Sequence, residues 1–341
     1  MKGSVIALGE WRGRGAAARL VDGQLDDLLI DPPDDTPRPG AIYRAIADRP
    51  MKGQGGVTVK LSGGQRGFLR QSKGLRPGQS LLVQIGTYAE PGKAVPVATR
   101  LLFKSRFAIV TPDAPGVNVS RQIKDPEERA ALEALAVGMV PEGTGLILRS
   151  EAAGMPDDVV AGDIRTMTDL SQAILGDAEG REPELLLDGP DAHQTALRDW
   201  PEPELLADGP TAFADHSIDD LIEAALSPRL PLSGGAIAYV EATRALVAVD
   251  VNTGGDTSAA AGLKANLALI RALPRALRCR GLGGQITVDF APLPKRDRRQ
   301  VETALKAAFR ADPVETMLAG WTPLGHFELQ RKRERAPLDW R

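Results

Sequence analysis

The clearest pattern of apolar and polar positions begins at residue 235. GAIAYVEATRALVAVDVN, at 235–252, contains two β-type runs, with a tight turn expected around Glu241 and Ala242. Gly254 and Gly255 follow. The segment 262–279 has helical spacing, Gly283 and Gly284 stop it, and QITVDF at 285–290 reads as another strand. A strand, a crossover helix and a strand make a parallel pair. In VETALKAAF, Val301, Ala304, Leu305, Ala308 and Phe309 fall on one helical face that can cover the sheet.

Earlier in the chain the periodicity is shorter. Between Ala41 and about Val110, the runs GGVTVKL, RGFLRQ, SLLVQI and AVPVATRLLF are separated by SGGQ, PGQ and PGK turns, which favours a small barrel. DPPDDTPRPG at 31–40 has four prolines in ten residues and reads as a linker before it. After the barrel, DPEERAALEAL at 125–135 is helical and TGLILRSEA at 144–152 starts as a strand, suggesting a small α+β region. PELLLDGP at 183–190 echoes PELLADGP at 203–210; two copies are too few for a solenoid and read as coincidence or local duplication. HSIDDLIEAAL at 216–226 reads as a helix with Ser217 as its cap.

A length of 341 residues suggests two or three domains, and 43% hydrophobic with 26% charged residues is ordinary globular composition. No run of about 18 apolar residues suggests a membrane span. MKGSVIALGEWRGRG is interrupted by Gly9, Glu10 and Arg12 before a signal core could form, so a soluble, cytoplasmic protein is expected. A lone Cys279 and the dispersed His193, His216 and His326 do not supply a zinc spacing, so any metal should be held by oxygen. With 42 basic and 45 acidic side chains the net charge is −3, and a polyanion would have to meet local basic clusters. Three exist: Arg271, Arg275, Arg278 and Arg280; Lys295, Arg296, Arg298 and Arg299; and Arg331, Lys332, Arg333 and Arg335. Each is either a solvated face or tail, or a phosphate contact.

Asp250 lies near the end of RALVAVDVN and Asp289 near the end of QITVDF. If the two strands are parallel neighbours, both carboxylates meet at the carboxyl edge of the sheet, where open α/β sheets bind ligands. Two like charges there call for a hard cation, and Mg²⁺ commonly uses one or two carboxylates and keeps several waters. Asn252 shares the face of Asp250 and could steer it or hydrogen-bond a phosphate. The alternative is that both aspartates are strand-terminal turn residues. A metal site of this kind suits phosphodiester hydrolysis.

These residues resemble the ribonuclease E/G endoribonucleases. VAVDVNTG at 247–254 and LGGQITVDF at 282–290 look like the family's two catalytic strands, and Asn266 and Leu267 fall where it has a similar Asn-Leu helix. HSIDDLIEAALSPRLPLSGGAIAYVEATRAL resembles the segment leading into the first of those strands. ARLVDGQLDDLLIDPP at 18–33, GAIYRA at 40–45, RGFL at 66–69 and PEGTGLILRS at 141–150 resemble its opening strands, its barrel and the turn into its 5′-phosphate pocket.

The resemblance implies a multidomain α/β fold: a ribonuclease-H-like subdomain at 1–38 and 180–246, an inserted OB-type RNA-binding barrel at 39–103, a 5′-sensor-like α+β region at 104–179, and a deoxyribonuclease-I-like catalytic subdomain at 247–341. It implies endonucleolytic cleavage of single-stranded RNA, with Asp250 and Asp289 holding Mg²⁺ (or Mn²⁺) and Asn252 orienting them, and no zinc. RNA contacts are expected from Phe68, Lys93, Arg278, Arg280, Arg298 and Arg299, and a 5′-phosphate pocket from Arg149 and Ser150. Departures are visible too. A second barrel aromatic of the family falls near Thr58, and a further sensor arginine near Glu315. The family's zinc-link cysteines would follow RKRERAPLDWR, so no zinc-linked dimer is expected, although another homo-oligomer is compatible. The alternative function is a non-catalytic RNA-binding descendant; an unrelated α/β protein acting on small phosphates is a third.

Overall fold

The computed structural model describes residues 3–51, 55–70, 74–90 and 92–338, apart from the side chains of Arg49 and Met51. Gln71 of the expected RGFLRQ strand, Pro91 of the PGK turn and residues 339–341 of the basic tail lie outside the described residues. The chain divides into two units, Met1–Asp34 with Pro203–Arg341, and Asp35–Glu202. The first crossing falls within the proline-rich 31–40 stretch, which forms neither helix nor strand.

The first unit opens with an antiparallel meander of β1 (Ser4–Trp11), β2 (Arg14–Val21) and β3 (Gln24–Ile30). The chain then enters the second unit with β4 (Ile42–Met51), β5 (Gly56–Lys60), β6 (Arg66–Leu69), β7 (Ser80–Ile85) and β8 (Val95–Ala98). These pair in the order β4-β5-β6-β8-β7, and β7 pairs back onto β4, closing an OB-like barrel of five strands. Alternate residues point inward, so Val57, Val59, Leu69, Val83, Ile85 and Val97 fill it.

Next come β9 (Phe103–Lys104), β10 (Ala108–Thr111), β11 (Gly116–Val119), α1 (Pro126–Ala136), β12 (Gly145–Leu148) and α2 (Asp157–Gly176). The sheet β11-β12-β10-β9 packs with both helices around Val110, Leu132, Leu146, Leu148 and Ile164. Asp125 caps α1 by accepting from the Glu127 amide at 2.9 Å. Helix α2 is absent from the sequence reading, although Pro156 before Asp157 and Asp158 and the buried Val160, Ile164 and Ile174 mark it. β13 (Glu184–Leu187) adds antiparallel to β4, and α3 (Ala192–Asp199) opens with an Asp191–Gln194 capping box.

Back in the first unit, β14 (Leu205–Ala207) runs parallel to β1. Each copy of the repeated PELL phrase thus forms an edge strand, but in a different sheet. Helices α4 (Ala212–Asp215) and α5 (Ile218–Leu226) follow. Ser217 precedes α5 as expected but does not cap it: it sits at φ 52° and makes no capping bond. These helices cover the first sheet around Trp11, Leu28, Phe213 and Ile222.

The remaining elements are β15 (Arg229–Pro231), β16 (Ile237–Ala242), β17 (Val247–Asn252), α6 (Ala261–Cys279), β18 (Gly284–Asp289), α7 (Arg298–Ala311), β19 (Thr316–Trp321) and β20 (Phe327–Arg331). They build a mixed six-stranded sheet ordered β15-β16-β17-β18-β20-β19. The β16–β17 turn lies at 243–246 rather than at Glu241 and Ala242, which remain paired within the strand. Thr243 sets its position, because its hydroxyl donates to the Leu246 carbonyl at 2.8 Å. One face of the sheet packs on α6 and α7 through Val249, Val251, Leu269, Leu273, Val288, Val301 and Leu305. The other face is open. No helix among the described residues is long and apolar enough to cross a membrane.

Candidate active site

Strand alternation places the chemistry on that open face. In β17, Val247, Val249 and Val251 are buried while Asp250 and Asn252 are exposed; in β18, Ile286 and Val288 are buried while Asp289 is exposed. β17 and β18 are parallel, and Asp250 is the direct register partner of Asp289. Their backbones are therefore one strand spacing apart, about 4.8 Å, with both carboxylates on the same side. Asn252 donates from Nδ2 to Asp250 Oδ2 at 3.0 Å, which orients that carboxylate. His326, entering β20, brings Nε2 to 3.8 Å from Asp289 Oδ1, and Glu328 follows on the same face. His326 and Glu328 were not singled out as site residues from the sequence. Their signal is the period-two alternation in HFELQ, which is legible only once β20 is known to neighbour β18.

The loop after Asp289 is fixed from below. Asn266 of α6 is fully buried and brackets Ala291, donating from Nδ2 to its carbonyl and accepting from its amide, each at 2.9 Å. Gly262, one turn earlier, lets the helix approach: a Cβ there would stand 2.2 Å from the Pro292 carbonyl oxygen. The helix thereby holds the chain two residues beyond Asp289.

A hard divalent cation fits this donor set. The paired groups are carboxylates, they are solvent-accessible, and the neighbouring Asn252 adds an amide oxygen to the face. Among the described residues, no group of three or more His, Cys, Asp or Glu gathers that could hold a metal ion, so a cation here would rest on two carboxylates and keep several waters.

The expected RNA-contacting arginines divide sharply. Arg278 is buried: it pairs with Asp312, donates to the Asp26 carbonyl at 2.9 Å and lies 3.8 Å from Asp27. Burial would lower its pKa, but Asp27 and Asp312 overcome this and raise it. Arg280 is also buried, donating to the Ala276 and Ser227 carbonyls at 3.1 Å each. Both guanidinium groups are thus engaged inside the fold rather than presented to solvent. Arg298 lies 4.5 Å over the Trp321 ring, whereas Arg299 is exposed. Arg331 and Arg335 of the third cluster are likewise structural, pairing with Asp312 and with Asp27 at 2.8 Å.

In the second unit, Phe68 is half-buried on the outside of the barrel opposite Thr58, between the exposed Lys60 and Arg66 pair and Pro96. Lys93 is exposed and pairs with Glu90 at 2.6 Å. Arg149 and Ser150 do not form an open anion pocket. Arg149 donates to the Ser105 and Arg198 carbonyls at 2.5 and 3.2 Å and to Asp199 at 2.9 Å, while the Ser150 hydroxyl donates to Glu151 at 3.1 Å. Most of the Arg149 donors thus have acceptors within the fold, with the Asp199 and Glu151 carboxylates beside the guanidinium. Burial would raise the Asp199 carboxyl, but Arg198 and Lys104 hold it well below the usual carboxylate range.

Fold and site together define a class: a two-unit α/β protein with an OB-like barrel in one unit and, in the other, a registered aspartate pair on the open face of a mixed sheet. The model of the Ribonuclease E/G family matches residues 103–207 and 202–334. Similar proteins include Ribonuclease E of Nostoc sp., 31% identical over 76% of this chain and 44% of its own. Ribonuclease E of Escherichia coli is 27% identical over 92% and 35%, and Ribonuclease G of Salmonella typhimurium 28% over 78% and 62%. The chain belongs to the ribonuclease E/G family, as its catalytic-strand motifs suggest. It spans less than half the length of these ribonuclease E relatives and 62% of the ribonuclease G.

Proposed function

We infer that the protein is an endoribonuclease that hydrolyses phosphodiester bonds of single-stranded RNA with Mg²⁺ or Mn²⁺. The observation that carries this reading is the direct registration of Asp250 against Asp289 on an open sheet face. When bound, the cation would supply positive charge at the scissile phosphate and activate the attacking water. Asp250 and Asp289 would hold it, and Asn252 fixes the orientation of Asp250 through the 3.0 Å amide contact. Phe68 offers one ring for base stacking, with Lys93 and Arg299 as exposed phosphate contacts. On the family resemblance, the six-stranded part is the deoxyribonuclease-I-like catalytic region and the β1–β3 part the ribonuclease-H-like one.

The test is cleavage of a single-stranded RNA with Mg²⁺, supplied with either a 5′-monophosphate or a 5′-hydroxyl. The wild-type protein should cut internally, and Asp250→Asn and Asp289→Asn should each abolish cutting while leaving RNA affinity within a few-fold. Because Arg149 and Ser150 are internally engaged, both 5′ ends should be cut at similar rates. Binding without any cutting would establish the non-catalytic reading instead.

A further inference from the structure

Beside the aspartate pair, the open face of the sheet continues into a hollow of about 650 Å³ over the β19–β20 hairpin. The two strands beneath it pair with a register shift between Leu318 and Gly320. Gly320 sits at φ 119°, and nothing occupies the space where its side chain would stand. Glu328 and His326 form the side nearest Asp289, and Pro323 and Leu324 form the far wall. Leu324 stands 86% exposed at the hairpin tip. Thr322 locks the hairpin, its hydroxyl accepting from the His326 amide at 3.1 Å and its own amide donating to the His326 carbonyl at 2.8 Å.

The hollow is placed for the residue next to the scissile bond. β18 to β19 is two strand spacings, about 10 Å, and β20 with His326 lies between them. Its chemistry disfavours a phosphate: the lining holds a carboxylate and no lysine or arginine, and the Arg298 guanidinium is directed onto the Trp321 ring. A nucleobase has the matching character, with an apolar face for Leu324 and Pro323 and a polar edge for Glu328. An ionised carboxylate only accepts hydrogen bonds, so it favours guanine, whose N1–H and amino N–H can donate side by side to its two oxygens, over uracil, whose single N3–H is flanked by two carbonyl oxygens.

We propose that this hollow is a nucleobase subsite for a nucleotide flanking the cut, and that Glu328 there selects guanine over uracil. The proposal rests on the reading of the aspartate pair as an RNA-cleaving site.

The experiment uses single-stranded oligonucleotides that differ only in the bases flanking the preferred cut. Wild-type protein should cleave about tenfold faster with guanine than with uracil at one flank, and Glu328→Gln should bring the ratio towards one. Leu324→Ala, at an exposed site that cannot unfold the protein, should raise KM without changing kcat. Indifference of the wild type to both flanking bases would overturn the subsite while leaving the nuclease reading intact. Should the protein bind RNA without cutting it, amide exchange decides: protection of 319–328 by bound RNA supports the subsite, and protection confined to other segments refutes it. Absence of RNA binding would remove both readings together.

Discussion

Arg278 offers a direct contest between two roles for a basic cluster. Its side chain is 9% exposed and meets Asp312, whose own side chain is fully buried and also accepts from Arg331. Arg278→Ala would leave Asp312 with one partner in place of two and would take a cation from beside Asp27. Removing one member of a buried ion pair costs about 3–5 kcal/mol when the remaining charge is left alone, and since Asp312 keeps Arg331 and Asp27 keeps Arg335 the low end, about 3 kcal/mol, applies. In a unit of this size each kcal/mol shifts the melting temperature by about 2–4 °C, so a loss of about 10 °C is expected. Asp312→Ala should do at least as much, since it leaves Arg278 and Arg331 buried together. A triple replacement, Arg278→Met, Arg331→Met and Asp312→Leu, should recover much of the stability because it removes the charges as a set. The assays are thermal melting and RNA affinity as a function of salt. An RNA-contacting arginine would behave in the opposite way, leaving the melting temperature unchanged and lowering the salt slope by about 1 when removed. An Arg278→Ala variant with wild-type melting and a reduced slope would refute the structural role assigned here.

Asn266→Leu should cost about 2–6 kcal/mol in urea unfolding, since the Ala291 amide and carbonyl each lose a buried partner worth about 1–3 kcal/mol. Cleavage should fall through kcat, and Mn²⁺ binding should weaken, because the loop after Asp289 is released. Burial pushes the Cys279 thiol up to about 12, so a thiol reagent at pH 8 should label it only after denaturation; rapid labelling of the native protein would contradict this. Asp199 is held below its unfolded value of about 3.9, so its ion pairs stabilise the second unit above that pH and lose their effect as pH falls through the folded value. Asp199→Asn should therefore lower the melting temperature at pH 7 and converge with wild type in strong acid.

What the sequence could express depended on whether a residue's partners were local. The alternation in VAVDVN and QITVD specifies which side chains share a face, and the helix between them specifies a parallel pair; together these place Asp250 beside Asp289 before any coordinates are known. The arginines at 271, 275 and 278 follow helical spacing just as legibly, but a basic stripe does not say whether it faces phosphate or carboxylate. The answer lies at Gln24, Asp26 and Asp27, some 250 residues away, and at Asp312. His326 and Glu328 escaped for the same reason, since their meaning comes from the adjacency of β20 to β18. Ser217 shows the converse: a favourable capping residue type at the right position, overridden by a left-handed backbone. Charge clusters in this chain are thus divided by burial, with Arg278, Arg280, Arg331 and Arg335 consumed by folding. The exposed cations that remain for a polyanion include Lys60, Arg66, Lys93, Lys295, Arg296 and Arg299. RNA affinity should be strongly salt-dependent, and the buried arginines of the three clusters should contribute nothing to its slope.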